Sequence, residues 1–165
     1  MTAEHQPKLI VTCRAGNEEL CIHEICNVLY SKDPCVKAEK TKYSGVVFVY
    51  TSLSADKAYK ASSLREYGFV ENIVPVHCVL DYPVNESALL DCLKSIVKSP
   101  AVRLKVKARG VRGASSALFS LIAKLLAGIG SAHTPESSTC LYVEVVESKM
   151  YVGVAHCRSV FKHSL

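Results

Sequence analysis

Eight consecutive residues, Val102-Arg-Leu-Lys-Val-Lys-Ala-Arg109, alternate without a break between apolar and cationic side chains. A period of two belongs to a β-strand with one buried and one open face. Val102, Leu104, Val106 and Ala108 share the first face; Arg103, Lys105, Lys107 and Arg109 share the second. Same-face neighbours on a strand lie about 6.6–6.8 Å apart, the scale of the gap between successive phosphates of a nucleic-acid strand. Four like charges in a row repel one another. Glu144 is available to relieve one of them, and a polyanion would relieve all four. A cationic edge also guards a sheet against aggregation. Four cations on one face, followed by Arg112, favour nucleic-acid binding over that plainer role.

Charge is unevenly divided along the 165 residues. Residues 1–100 carry 11 Lys+Arg against 12 Asp+Glu, and residues 101–165 carry 9 against 3, so nets of −1 and +6 make up the chain's +5. A neutral half followed by a basic half implies two modules with different duties. A 49% hydrophobic content argues against a disordered tail.

The first module reads as strand, helix, strand, strand, helix, strand. Leu9–Cys13 is a short buried strand. Asn17 caps a helix that begins with Glu18 and Glu19 and runs to Tyr30, before Pro34. Val36–Lys42 and Val46–Thr51 form a hairpin around Tyr43-Ser44-Gly45. Ser54 caps a helix over 55–67 with Gly68 as its stop, and 73–80 is the last strand, with Pro75 favouring an edge. This order is the ferredoxin-like split βαβ arrangement. Asp81–Asn85 reads as a linker, which divides the chain into domains 1–81 and 82–165.

The second module reads as helix, strand, helix, strand, strand. The helix over 86–98 places Leu89, Leu90, Leu93, Ile96 and Val97 on one side and ends at Ser99-Pro100. The basic strand follows. Gly110-Val-Arg-Gly-Ala-Ser-Ser116 then turns into a mostly apolar helix over 116–127. Its glycines let backbone approach a ligand, and Ser115 or Ser116 caps the helix, whose free N–H groups favour an anion. After a turn-rich loop over 128–139, strands 140–146 and 150–156 close a hairpin. Tyr142 lies beside the basic strand if the strands share a sheet. The fold class expected is α+β.

Eight cysteines are many for a cytosolic chain. No pair is spaced C-x-x-C, so they read first as small buried hydrophobes. A metal set at Cys21, His23 and Cys26, another at His156, Cys157 and His163, and structural disulfides are the alternatives. No G-x-S-x-G, H-E-x-x-H, Walker A or dinucleotide-binding pattern occurs, so no catalytic residue, metal or cofactor is assigned. The polar start MTAEHQPK has no secretory character. The longest apolar stretch, Leu118–Gly130, is too short and too interrupted to span a bilayer. A cytoplasmic protein is expected.

Three stretches resemble the THUMP-domain proteins, RNA-binding modules of tRNA-modifying enzymes. They are Ala101–Arg109, the helix around Ser116–Gly130, and the hairpin Leu141-Tyr-Val-Glu-Val with Met150-Tyr-Val-Gly-Val154. Leu9-Ile-Val-Thr-Cys-Arg-Ala-Gly-Asn-Glu-Glu19 and Tyr43-Ser-Gly-Val-Val-Phe-Val49 resemble the ferredoxin-like domain that precedes THUMP in many members. The resemblance implies a ferredoxin-like βαββαβ module followed by a THUMP-like αβαββ module. It implies binding of the tRNA acceptor stem and 3′ end for a catalytic partner. It is similar to the stand-alone form, an adaptor that presents tRNA to a cytidine acetyltransferase. On this basis the RNA-binding residues are Arg103, Lys105, Lys107, Arg109, Arg112, Ser115 and Ser116. A small-molecule regulator with a ferredoxin-like fold is the competing expectation.

Overall fold

The computed structural model describes residues 5–162 of the chain. It divides into two compact units. One comprises the chain up to Val76 together with the stretch from Arg158 onward, and the other is His77–Cys157. The fold is α+β, ferredoxin-like in the first unit and THUMP-like in the second.

In the first unit β1 (Leu9–Thr12), α1 (Glu18–Tyr30), β2 (Lys37–Lys40), β3 (Val46–Tyr50), α2 (Ala55–Ser62), β4 (Glu66–Tyr67) and β5 (Asn72–Pro75) follow one another. The main sheet runs β2-β3-β1-β5 with every neighbour antiparallel. This is the strand order of a ferredoxin-like unit, with β4 an extra piece. Helix α1 buries Cys21, Ile25 and Leu29, spaced by four, with Ile22 and Cys26 packed beside them. The β2–β3 turn needs Gly45, whose φ is +76°; a Cβ there would sit 2.3 Å from the Cys13 carbonyl oxygen. The Asn17 side chain caps nothing. Instead the Glu18 carboxylate accepts from the Gly16 N–H.

Helix α2 stops at Ser62, short of the expected 67. Leu64 turns into the left-handed region at φ 56°, and its N–H donates to the Ser159 carbonyl at 2.7 Å. The chain's end supplies that partner. β10 (Phe161–Lys162) pairs in parallel with β4. Ser159 Oγ accepts from the Ile73 N–H at 2.9 Å and donates to Asn72 Oδ1 at 2.6 Å. Residues 158–162 therefore belong with the first unit, not with the second as the 82–165 boundary had it.

The expected strand 73–80 is two strands in two sheets. Val76 N–H donates to the Lys8 carbonyl, beside β1, and the next amide, His77 N–H, donates to the Val152 carbonyl. β6 (Cys78–Asp81) thus opens the second unit and pairs antiparallel with β9. The expected linker 81–85 is the connection from β6 to α3 (Glu86–Ile96) inside that unit, and Asn85 Oδ1 accepts from the Ala88 N–H as its N-cap.

β7 (Arg103–Arg109), α4 (Ala114–Gly128), β8 (Thr139–Val146) and β9 (Lys149–His156) complete the second unit. The sheet runs β6-β9-β8-β7. β7 and β8 are parallel across the α4 crossover. β8 and β9 form a two-residue hairpin with Glu147 at φ 57°. One sheet face packs on the helices. Leu118, Ile122 and Leu126 of α4 and Leu89 and Leu93 of α3 bury against Leu104, Leu141, Val143, Val145, Met150 and Val152. Each fully buried aliphatic chain contributes about 1.5–3 kcal/mol.

A polar device holds the first unit's loops. The Asp33 carboxylate accepts from Thr51 Oγ1 at 2.7 Å, from Ser52 N–H at 3.0 Å and from Cys35 N–H at 3.0 Å. The Thr51 bond, then the Ser52 amide, hold this carboxyl below its ordinary range. A depressed folded-state pKa gives stability that is complete above the unfolded value, about pH 3.9, and fades as pH falls through the folded one. Thermal unfolding of the native chain and of Asp33→Asn across that window tests this. The native chain should be the more stable at neutral pH, and its advantage should shrink below about pH 4.

Candidate nucleic-acid interface

Among the described residues β7 is an edge strand with β8 as its sheet neighbour. Leu104 is buried in the helix-packed core, and Val106 and Ala108 pack against it. Arg103, Lys105, Lys107 and Arg109 therefore occupy the sheet face opposite the helices, as period two requires. Arg103 and Lys107 are exposed; Lys105 and Arg109 are half-buried. Register places Arg103 opposite Cys140, Lys105 opposite Tyr142 and Lys107 opposite Glu144, all on that face.

The four cations are not equivalent. Glu144, 2% exposed, accepts from the Arg109 guanidinium in a close ion pair. Lys105 Nζ lies 5.8 Å from the centroid of the buried Tyr142 ring. Burial pushes the Lys105 ammonium down, and Arg103 and Lys107 add repulsion in the same direction. An arriving polyanion would reverse both neighbour effects. Tyr142 is covered, which removes it as a stacking platform for bases.

The turn after β7 continues the positive surface. Gly110 and Gly113 both have positive φ, and Arg112 between them is exposed. Gly113, at φ 74°, is itself the N-cap of α4, so Ser115 and Ser116 lie inside the first turn and do not cap it. The first turn of α4 holds no acid and no side-chain cap bond. By contrast α2 and α3 are capped by Ser54 and Asn85 and begin with Asp56 and Glu86. The amides at the α4 start, the positive end of its dipole, therefore have no acid of their own first turn beside them, and Arg112 lies just before them in the chain.

One contributor escaped the sequence reading. His133, in the loop after α4, accepts from the Leu104 N–H through Nδ1 at 2.9 Å and meets the Phe119 ring edge-on at 5.0 Å. Val102 N–H donates to the Ala132 carbonyl and Thr134 N–H to the Val102 carbonyl, each at 2.9 Å. The loop thus pins the start of the basic strand. A histidine in a turn-rich loop gives no sequence signal for this.

The cysteine reading changes in the second unit. Cys78 joins Cys92, and Cys140 joins Cys157, as disulfides. Cys92 and Cys140 are buried, Cys92 within the apolar core, but as half-cystines rather than thiols. Cys157 is thereby withdrawn from the metal set with His156; His163 lies outside the described residues. In the first unit Cys13 and Cys21 are buried thiols and His23 is exposed. Burial pushes the Cys13 and Cys21 thiols up, opposite to what a nucleophile needs. A hollow of about 440 Å³ lies in the first unit, lined by Asp33, Cys35, Lys37, Tyr50, Thr51 and Ser52. Its acid, Asp33, is already engaged by three donors. Among the described residues no helix is long and apolar enough to cross a membrane.

No family model and no curated protein matches the chain. Solved structures do. PH1313 from Pyrococcus horikoshii Ot3 is similar at a TM-score of 0.67 and 11% identity, over 95% of this chain and 56% of that one. TrmN from Thermus thermophilus is similar at 0.62 and 16%, over 92% and 46%. A 4-thiouridine synthetase solved with RNA and bound ATP is similar at 0.50 and 12%, over 95% and 43%. The chain spans about half the length of the solved chains it matches. At these identities the likeness is one of fold, and it extends through both units.

Proposed function

We propose that this protein is a tRNA-binding module whose basic strand β7 and following turn hold the phosphates of the acceptor stem and 3′ end. In this reading the chain performs no bond-breaking step itself. It positions tRNA for a separate modification enzyme, and the family resemblance makes a cytidine acetyltransferase the class of partner. The observation that carries the proposal is the row Arg103, Lys105, Lys107 with Arg112. The first three lie on the sheet face opposite the helices, Arg112 is exposed in the turn that follows, and the first turn of α4 holds no acid and no side-chain cap bond. The fold it shares with a synthetase solved with RNA supports the same reading.

The test is an equilibrium titration with bulk tRNA at several salt concentrations, with 3′-end-trimmed tRNA alongside. Four phosphate contacts to a frayed or single-stranded end give a log-affinity against log-salt slope of about −3. Binding should fall when the 3′ end is removed. Weak binding that ignores both salt and the 3′ end would overturn the proposal.

A further inference from the structure

The two disulfides differ in what they support. Cys78–Cys92 ties β6 to α3 on the helix-covered side, where Cys92 belongs to the core. Cys140–Cys157 lies under the opposite face. Cys140 is fully buried on β8 directly across from Arg103, and Cys157 is the residue at which the chain leaves the second unit. A chain of contacts runs from this bridge to the cations. Cys157 N–H donates to the Ser138 carbonyl at 2.8 Å. Tyr142 Oη donates to the Cys157 carbonyl at 3.4 Å, and Lys105 Nζ sits over the Tyr142 ring. The position of residue 157 thus bears on Tyr142, and through it on Lys105. The bridge is also reachable: Cys157 is half-buried while Cys140 is not accessible at all.

Resting on the RNA reading above, we propose that Cys140–Cys157 is a redox latch on the basic face, which holds Arg103 and Lys105 in place when joined and releases them when reduced. The reductant is a dithiol. Its thiolate attacks Cys157 Sγ, forming a mixed disulfide, and Cys140 departs as a thiolate that takes up a proton. The dithiol's second thiolate then closes its own disulfide and expels Cys157, which is protonated in turn. Two electrons and two protons pass from the dithiol to the protein. The freed segment at 157 no longer holds the Tyr142 hydroxyl, and Lys105 over that ring and Arg103 across from Cys140 lose their fixed side-chain positions. Among the described residues Cys78–Cys92 has no such contact chain, and it serves as the internal control.

The experiment measures bulk tRNA affinity and its salt slope for the oxidised chain, after dithiothreitol, and after reoxidation. Amide hydrogen exchange is followed without RNA. Reduction should weaken binding about tenfold, flatten the slope by about 1.4 (two contacts at about 0.7 each), and speed exchange at 140–142. Reoxidation should restore all three. Cys78→Ser with Cys92→Ser should keep the full redox response; Cys140→Ser with Cys157→Ser should stay in the weak state and ignore dithiothreitol. Should the latter variant fail to fold, the response of the native chain and of the 78/92 variant decides alone. Equal affinity in both redox states, unchanged exchange at 140–142, or a response lost with the 78/92 pair instead overturns the latch while leaving RNA binding intact. Absence of binding in either state overturns the RNA reading, and the latch with it.

Discussion

Replacing Arg103 and Lys107 together with glutamate is expected to weaken tRNA binding by about a hundredfold at low salt and to halve the salt slope, from about −3 to about −1.4. Both side chains are exposed, so neither holds the core together. Each reversal removes one phosphate contact and places an anion beside Lys105. The same reversal ends the repulsion that adds to burial in lowering the Lys105 ammonium. Thermal stability of the double variant should therefore equal or slightly exceed that of the native chain. The two readouts together discriminate: a nucleic-acid face loses affinity and keeps its stability, whereas a strand face that is merely solvated keeps both. Undiminished affinity in a folded double variant would sink the assignment.

Glu144→Gln is expected to move stability and binding in opposite directions. The Glu144 side chain is 3% exposed and that of its partner Arg109 is 20% exposed. Removing one member of a buried pair costs about 3–5 kcal/mol, and the partial exposure of Arg109 lowers this to about 2–3 kcal/mol. For a chain of this size that is a fall in Tm of roughly 5–10 °C. Arg109, released from its carboxylate, becomes a further phosphate ligand. The salt slope should then steepen by about 0.7. Calorimetry and the salt titration read the two effects separately. A variant that loses both stability and affinity would mean that Glu144 orders the whole strand rather than restraining one of its cations.

What could be seen in the residues alone was whatever repeats with a period. The alternation over 102–109 set a strand, its inward face and its cations. The spacing of Leu89, Leu93, Ile96 and Val97 set one face of the helix over 86–98. The ferredoxin-like order followed from the sequence of such elements. Features without a period stayed hidden. Nothing in Ile73–Leu80 marks the change of sheet, because apolar side chains suit either core. Only the directions of two successive amides, Val76 and His77, make the division. The two-residue pairing of β10 with β4 is too short to leave a pattern. Gly113 reads as a place where backbone can approach a ligand rather than as the cap, because serines two and three residues later offer a more familiar one. The cysteine pairs, separated by 14 and 17 residues, carry no spacing that distinguishes a bridge from a buried thiol. At the site, the cations were legible and their inequality was not: which one is spent on Glu144 and which lies over Tyr142 depends on register across strands far apart in sequence.

The return of residues 158–162 to the first unit has a consequence for biogenesis. The first unit is written in two pieces, with His77–Cys157 inserted between them. Domains emerging from the ribosome generally fold in order from the N-terminus. Here the first unit's last contacts are made only after its insert. The inserted unit has all of its strands before the first unit receives Ser159, the partner of Ile73 and Leu64. The four-stranded ferredoxin-like sheet has all its strands by Pro75, but β4 must wait for β10, and Leu64 and Ile73 for Ser159, until the insert has been made. A stop codon placed just after Cys157 would spare the RNA face and damage the half of the protein made first.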